Sequence, residues 1–157
     1  MCPTEKSASA VAKILSSTEK QSNRGMSESQ LRNLLDALPA NIALIDSNGE
    51  ILLVNEAWRN FAEENGMNRV DSESGNYLKV CESAASQGDS VASHSLQGLK
   101  SVLKGEKKTF DMEYPCNSPS QERWFRLNVA TVELWGDRCA VVTHSHLSRA
   151  TGAGNSY

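Results

Sequence analysis

The stretch PANIALIDSNGEILLVNEAWRNF, residues 39–61, decides the fold. Asn41 to Asp46 is a short apolar run of strand length, rich in Ile and Leu. Ser47-Asn48-Gly49 is turn chemistry, because Asn and Gly tolerate the positive φ that a tight hairpin demands. Ile51 to Val54 is a second apolar run. Asn55 then occupies a helix N-cap position, and Glu56 follows at the positive end of the helix dipole. The stretch therefore reads as strand, turn, strand and helix, and the rest of the chain has to close a sheet over this hairpin.

On the N-terminal side, Pro39 stops a preceding helix. That helix opens with Ser27-Glu28-Ser29-Gln30, which matches an S-x-x-Q capping box. Leu31, Leu34, Leu35 and Leu38 then fall on one helical face. Such a short stripe serves equally for packing on the chain's own sheet or for a dimer interface. Residues 1–26 form a polar leader, in which Ala8 to Leu15 carries enough apolar residues for a short helix.

On the C-terminal side, Glu56 to Asn65 reads as helix, with Gly66 as its stop. Met67 to Asn76 is polar and without period. Tyr77 to Ala85 suits a helical turn or two, and Val91 to Lys104 a longer helix ended by Gly105. Lys108 to Tyr114 alternates, with Phe110, Met112 and Tyr114 on one face. Glu122 to Leu134 alternates again, with Phe125, Leu127, Val129 and Thr131 toward the core and Trp124 and Arg126 outward. After a Trp135-Gly136-Asp137 turn, Cys139 to His146 is the last strand. Five strands with helices inserted after the second predict an α+β domain: an antiparallel sheet with short helices on one face and an N-terminal flanking helix. The boundaries are a leader over 1–26, the flanking helix over 27–39, the domain over 40–148 and a flexible tail over 149–157.

The chain has 157 residues and a formal net charge of −3, with Lys and Arg scattered, so nothing marks a nucleic-acid surface. No apolar run reaches membrane-spanning length and no signal peptide is evident. Cys2, Cys81, Cys116 and Cys139 form no Cys-x-x-Cys pair, which reads as reduced thiols in a cytoplasmic protein. There is no Gly-rich phosphate loop, no nucleophile elbow and no placed carboxylate pair, so no enzyme is expected.

Several blocks, in this order, resemble a PAS domain. They are Asp46-x-x-Gly49-x-Ile51 with Val54-Asn55-x-Ala57-Trp58; Gly75-Asn76-Tyr77-Leu78-x-Val80-Cys81; Gly98-Leu99-x-x-Val102-Leu103-x-Gly105 leading to Phe110-x-x-Glu113-Tyr114-Pro115-Cys116; and Arg123-Trp124-Phe125 with Val141-Val142-Thr143-His144. The resemblance covers about residues 28–148 and is to the type found in bacterial sensor kinases and cyclic-di-nucleotide signalling proteins. It implies a sensory or interaction module, often dimeric, that relays a conformational change to an output domain or a partner protein. The usual closing Asp-Ile-Thr is replaced here by His146-Leu147-Ser148, which departs from the usual C-terminal coupling contact. An excised sensor piece and a stand-alone protein acting through a partner both fit.

A small ligand would sit between the sheet and the helices, near Asn55, Trp58, Phe61, Tyr77, Leu99, Val102 and Phe125. Asn55 has an alternative role as helix cap. A homodimer would use Leu31, Leu34, Leu35, Leu38 and Trp124. His94 matches the place of the proximal histidine in haem PAS proteins, but at 100° per residue it lies about 140° around the helix from Leu99. A flavin photoadduct needs a Cys after Asn76, where this chain has Tyr77. Non-covalent FAD or FMN needs only a roomy apolar pocket. Cys116 near Arg123 gives weak support for a reactive thiol. His144 and His146 point to one side of the last strand without a third ligand, and read as surface residues. The alternatives are thus a ligand-binding sensor, an interaction module with no ligand, and a flavin or haem sensor.

Overall fold

The structure, a computed structural model, describes residues 25–148. The expected leader helix and the tail lie outside the described residues. Helix α1 spans Glu28–Asp36, and the capping box is fully formed: Gln30 N–H donates to Ser27 Oγ, and Ser27 N–H donates to the Gln30 side chain.

The hairpin follows as β1 (Asn41–Asp46) and β2 (Ile51–Val54). Asp46 organises its turn, its carboxylate accepting the Asn48 and Glu50 amides. Gly49, at φ +87°, is the turn residue that needs the left-handed region. A Cβ there would also meet the Leu78 Cβ at 2.6 Å, because the turn packs against the start of the third helix.

Helix α2 (Glu56–Glu64), a short 3-10 turn at Asp71–Glu73, α3 (Tyr77–Ser86) and α4 (Ser90–Leu103) then cross the sheet. The segment over 67–76 expected as plain loop thus contains a helical turn, and α3 is a full helix capped by Asn76 rather than a turn or two. Strands β3 (Thr109–Pro115), β4 (Trp124–Leu134) and β5 (Asp137–Leu147) complete the chain.

The sheet order is β2-β1-β5-β4-β3, antiparallel throughout. The helical crossover carries the chain from one edge to the other, and β5 returns to pair with β1. The strands separate two apolar clusters. On the helix side, Ala43, Ile45, Val54, Leu127, Val129, Ala140 and Val142 pack with Leu99, Val102 and Cys81. On the outer face, Leu44, Leu53 and Cys139 are covered by α1 through Leu31, with Leu35 and Trp135 packed alongside. The burial of Leu31 is worth about 2 kcal/mol, enough to hold a short helix against its fraying tendency.

The leucine stripe is therefore divided. Leu31 and Leu35 pack on the chain's own sheet, whereas Leu34 and Leu38 remain 52% and 43% exposed. Trp135, the single non-glycine residue with positive φ among the described residues, sits in the β4–β5 turn and donates its Nε1–H to the Met26 carbonyl.

Candidate functional site

Two buried polar residues set the position of α2. Asn55 is fully buried. Its side-chain oxygen accepts the Ile42 and Trp58 amides, and its amide group donates to the carbonyls of Leu35, Leu38 and Ala40. One side chain thus caps α2, anchors β1 and ends α1. Arg59, also buried, donates to the Val54 carbonyl and meets the carboxylates of Asp36 and Glu56 at 2.8 Å and of Glu73 at 3.5 Å. Arg69 binds the other Glu56 oxygen, and that hydrogen bond is the main reason the Glu56 carboxyl lies below its ordinary pKa.

The opposite side of α2 faces a cavity of about 250 Å³. Trp58, Phe61, Ala62 and Asn65 of α2 line it, with Met67, Asn41 of β1, Tyr114 and Cys116 at the end of β3, and His144 of β5. The lining contains no Asp, Glu, Lys or Arg, and burial lowers the pKa of His144 to about 4. The imidazole is held between two phenols: Tyr77 Oη is 2.9 Å from Nε2 and Tyr114 Oη is 2.6 Å from Nδ1. Burial raises the Tyr77 and Tyr114 hydroxyls well above the ordinary tyrosine range. All three groups are therefore neutral at physiological pH. Trp58 meets the His144 ring at 5.8 Å, and Tyr114 stacks on Phe125 at 5.9 Å.

Of the residues expected to form a pocket, Trp58 and Phe61 lie on the cavity wall. Tyr77 and Phe125 stand one layer behind it, in contact with His144, Tyr114 and Phe61. Asn55, Leu99 and Val102 do not line it. Asn55 has all its hydrogen-bonding groups committed to the backbone, and Leu99 and Val102 are sealed in the core under α4.

His144 corrects the expectation of a surface pair: it is interior, and His146 alone of the two is exposed. The alternation of Ala140 and Val142 on the core face contained that information, since His144 continues it. Tyr114 was legible on the core face in the same way. Asn41, Asn65 and Met67 carried no comparable signal, being at element ends or in a loop.

The remaining candidates fall elsewhere. His94 is exposed on α4, its ring edge-on to Phe110 at 5.6 Å. Arg123 donates from Nε to the Cys116 carbonyl, not to its sulfur, and its guanidinium lies 5.9 Å from the Phe61 and Phe125 rings. Cys81 and Cys139 are buried with raised thiol pKa values, Cys139 to about 11, so neither is an activated thiol. Trp124 lies half-buried on the outer face. Among the described residues, no three His, Cys, Asp or Glu side chains come together to hold a metal ion, and no helix is long and apolar enough to cross a membrane.

A five-stranded antiparallel sheet, crossed by helices between its second and third strands and bearing a small partly open cavity beside α2, defines an α+β domain. A PAS domain family model matches residues 29–83. The PAS domain of BvgS from Bordetella pertussis superposes with a TM-score of 0.55 at 16% identity, over 77% of this chain and 86% of that one. A sensory box sensor histidine kinase from Vibrio cholerae gives 0.51 at 14% identity, over 93% and 99%. An uncharacterized 104.1 kDa protein from Rhodobacter capsulatus is 38% identical over 124 residues, which is 76% of this chain and 13% of that protein's length. Residues 29–83 thus match the PAS domain model, and the chain as a whole has the PAS fold.

Proposed function

We propose that this PAS domain is a signal-input module whose cavity accepts a small molecule and whose helix α1 transmits the occupancy. The observation that carries this reading is the double role of α2. One side of that helix forms the cavity wall through Trp58, Phe61, Ala62 and Asn65. The other side holds the end of α1 through Asn55 and Arg59. A ligand that displaces α2 therefore strains contacts to α1, and a differential affinity for two α2 positions is what a population shift needs. The signal passes onward to a second copy or to a partner protein through the face bearing Leu34 and Leu38. No catalytic step is assigned, and the chain acts in the cytoplasm as a soluble module.

The cavity's size bears on cofactors. At about 250 Å³ it is below the 300–1,000 Å³ usual for drug-sized ligands, and a flavin or a haem is larger still.

An Ala62→Phe variant tests the reading without a ligand, by filling the cavity from α2. Thermal melting first confirms that the variant folds. Hydrogen exchange across residues 28–36 then changes relative to the wild-type protein if the cavity and α1 are coupled. Unchanged exchange in a folded variant would overturn the relay and favour the other reading, an interaction module without a ligand, which the exposed Leu34 and Leu38 support.

A further inference from the structure

A neutral imidazole has one N–H and one lone pair, so His144 must donate to one of its tyrosines and accept from the other. The lengths favour one direction over the other. The 2.6 Å contact to Tyr114 has the length of an O–H donor, and the 2.9 Å contact to Tyr77 that of an N–H donor. Tyr114 thus gives its proton to Nδ1, and Nε2–H points to the Tyr77 oxygen. The Tyr77 proton is left facing the thiol of Cys81, which lies beside the hydroxyls of both Tyr77 and Ser95. Ser95 Oγ–H in turn donates to the Ala92 carbonyl of α4 at 3.0 Å. The chain of protons runs in one sense, away from the cavity.

The consequence lies at the cavity wall. The Tyr114 hydroxyl has committed its only proton, so it offers the cavity a lone pair and no donor. Asn41 pairs with His144 across β1 and β5 and so projects to the same face; its side-chain amide has no hydrogen-bond partner among the described residues. The rest of the wall is aromatic or apolar, with the Asn65 amide already donating to the Phe61 carbonyl. A 150 Å³ cavity holds one benzene, so 250 Å³ corresponds to about ten non-hydrogen atoms.

We infer that the cavity takes a small neutral aromatic molecule carrying a hydrogen-bond donor, an N–H or phenolic O–H directed at the Tyr114 oxygen. The inference rests on the sensory reading above and adds the chemical class of ligand. The unfilled lone pair on Tyr114 provides the selectivity. An isostere without the donor desolvates that oxygen and gives nothing back, whereas the aromatic wall recognises both molecules alike. His144 is a positioning residue here, since it fixes the direction in which Tyr114 points its proton.

The test is calorimetric titration of the full chain with indole and with benzofuran, which share a bicycle but differ in an N–H against a ring oxygen. Indole is expected to bind at least about tenfold more tightly. Tyr114→Phe weakens indole and tightens benzofuran, which no longer desolvates an unpaired oxygen, so the preference for indole is lost, and Ala62→Phe abolishes both. Should Tyr114→Phe fail to fold, the wild-type comparison stands alone, joined by the imidazole ¹⁵N spectrum, which is expected to show the His144 proton on Nε2. Equal affinities for the two probes would overturn the donor requirement while leaving the ligand cavity standing. A proton on Nδ1 would overturn the assigned direction, and with it the ligand class. Binding of neither probe at millimolar concentration would overturn the inference and the ligand cavity together.

Discussion

The guanidinium of Arg59 meets the carboxylate of Asp36 at 2.8 Å across 23 residues of chain. The pair joins the middle of α2 to the last turn of α1, and the same Asp36 oxygen accepts the Glu56 amide. A charge as buried as Arg59 is tolerated because three carboxylates and a backbone carbonyl surround it.

Removing this arginine separates the two helices. Arg59→Ala is expected to cost about 2 kcal/mol, below the usual figure for breaking a buried pair because the stranded carboxylates are partly exposed to water. Urea denaturation reads the total. Hydrogen exchange should show the loss first at residues 28–36, and exchange that rises uniformly instead would mean that the pair stabilises the domain without specifically fastening α1.

His144 imposes a pH dependence on stability. Its folded pKa, about 4, lies below its ordinary 6.5 because burial penalises the imidazolium. Between those values the unfolded chain binds the extra proton, so stability rises with pH there. The contribution is complete above pH 6.5 and is lost as pH falls toward 4, by about 3 kcal/mol in total. His144→Gln keeps a neutral donor and acceptor between the two tyrosines and should flatten this part of the stability profile. An equally steep profile in the variant would assign the acid sensitivity to other groups.

Gly98 tests how tightly α4 and β3 approach. A Cβ at this position would lie 2.3 Å from the Phe110 ring, so the ring or the strand must move. Alanine gains about 1 kcal/mol in helix propensity, but the overpacking costs about 1–3 kcal/mol and the balance is destabilising. Thermal denaturation of Gly98→Ala decides the sign, and a raised melting temperature would show that Phe110 has room to swing away.

The hairpin at residues 41–54 was legible because its turn chemistry and apolar runs are local properties. The ends of α2 and α4 were readable within a residue or so because Asn55, Gly66 and Gly105 mark them. The cavity was less accessible to sequence. Leu99 and Val102 look like pocket residues by hydrophobicity, but whether an apolar side chain lines a void or fills one depends on its neighbours in space. Arg59 gave no signal at all, since its partners Asp36 and Glu73 come from different elements. His144 was the opposite case: its alternation with Val142 pointed inward, while the paired spacing with His146 suggested a surface site. In the structure the alternation prevails, because Tyr77 and Tyr114 satisfy both ring nitrogens.

The divided leucine stripe separates folding from association. Leu31 is buried against the sheet, so Leu31→Asp should undock α1 at a cost of several kcal/mol, about 3 or more, whatever the oligomeric state. Leu34 and Leu38 project away from that contact and are exposed. A Leu34→Glu, Leu38→Glu double variant should therefore melt within a few degrees of the wild-type protein. If the two leucines form the interface between copies, light scattering will report a dimer for the wild-type chain and a monomer for this variant. A variant that remains dimeric would place the interface elsewhere, with the outer-face Trp124 as the next residue to change. A monomeric wild-type chain would instead leave the exposed leucines to a different protein.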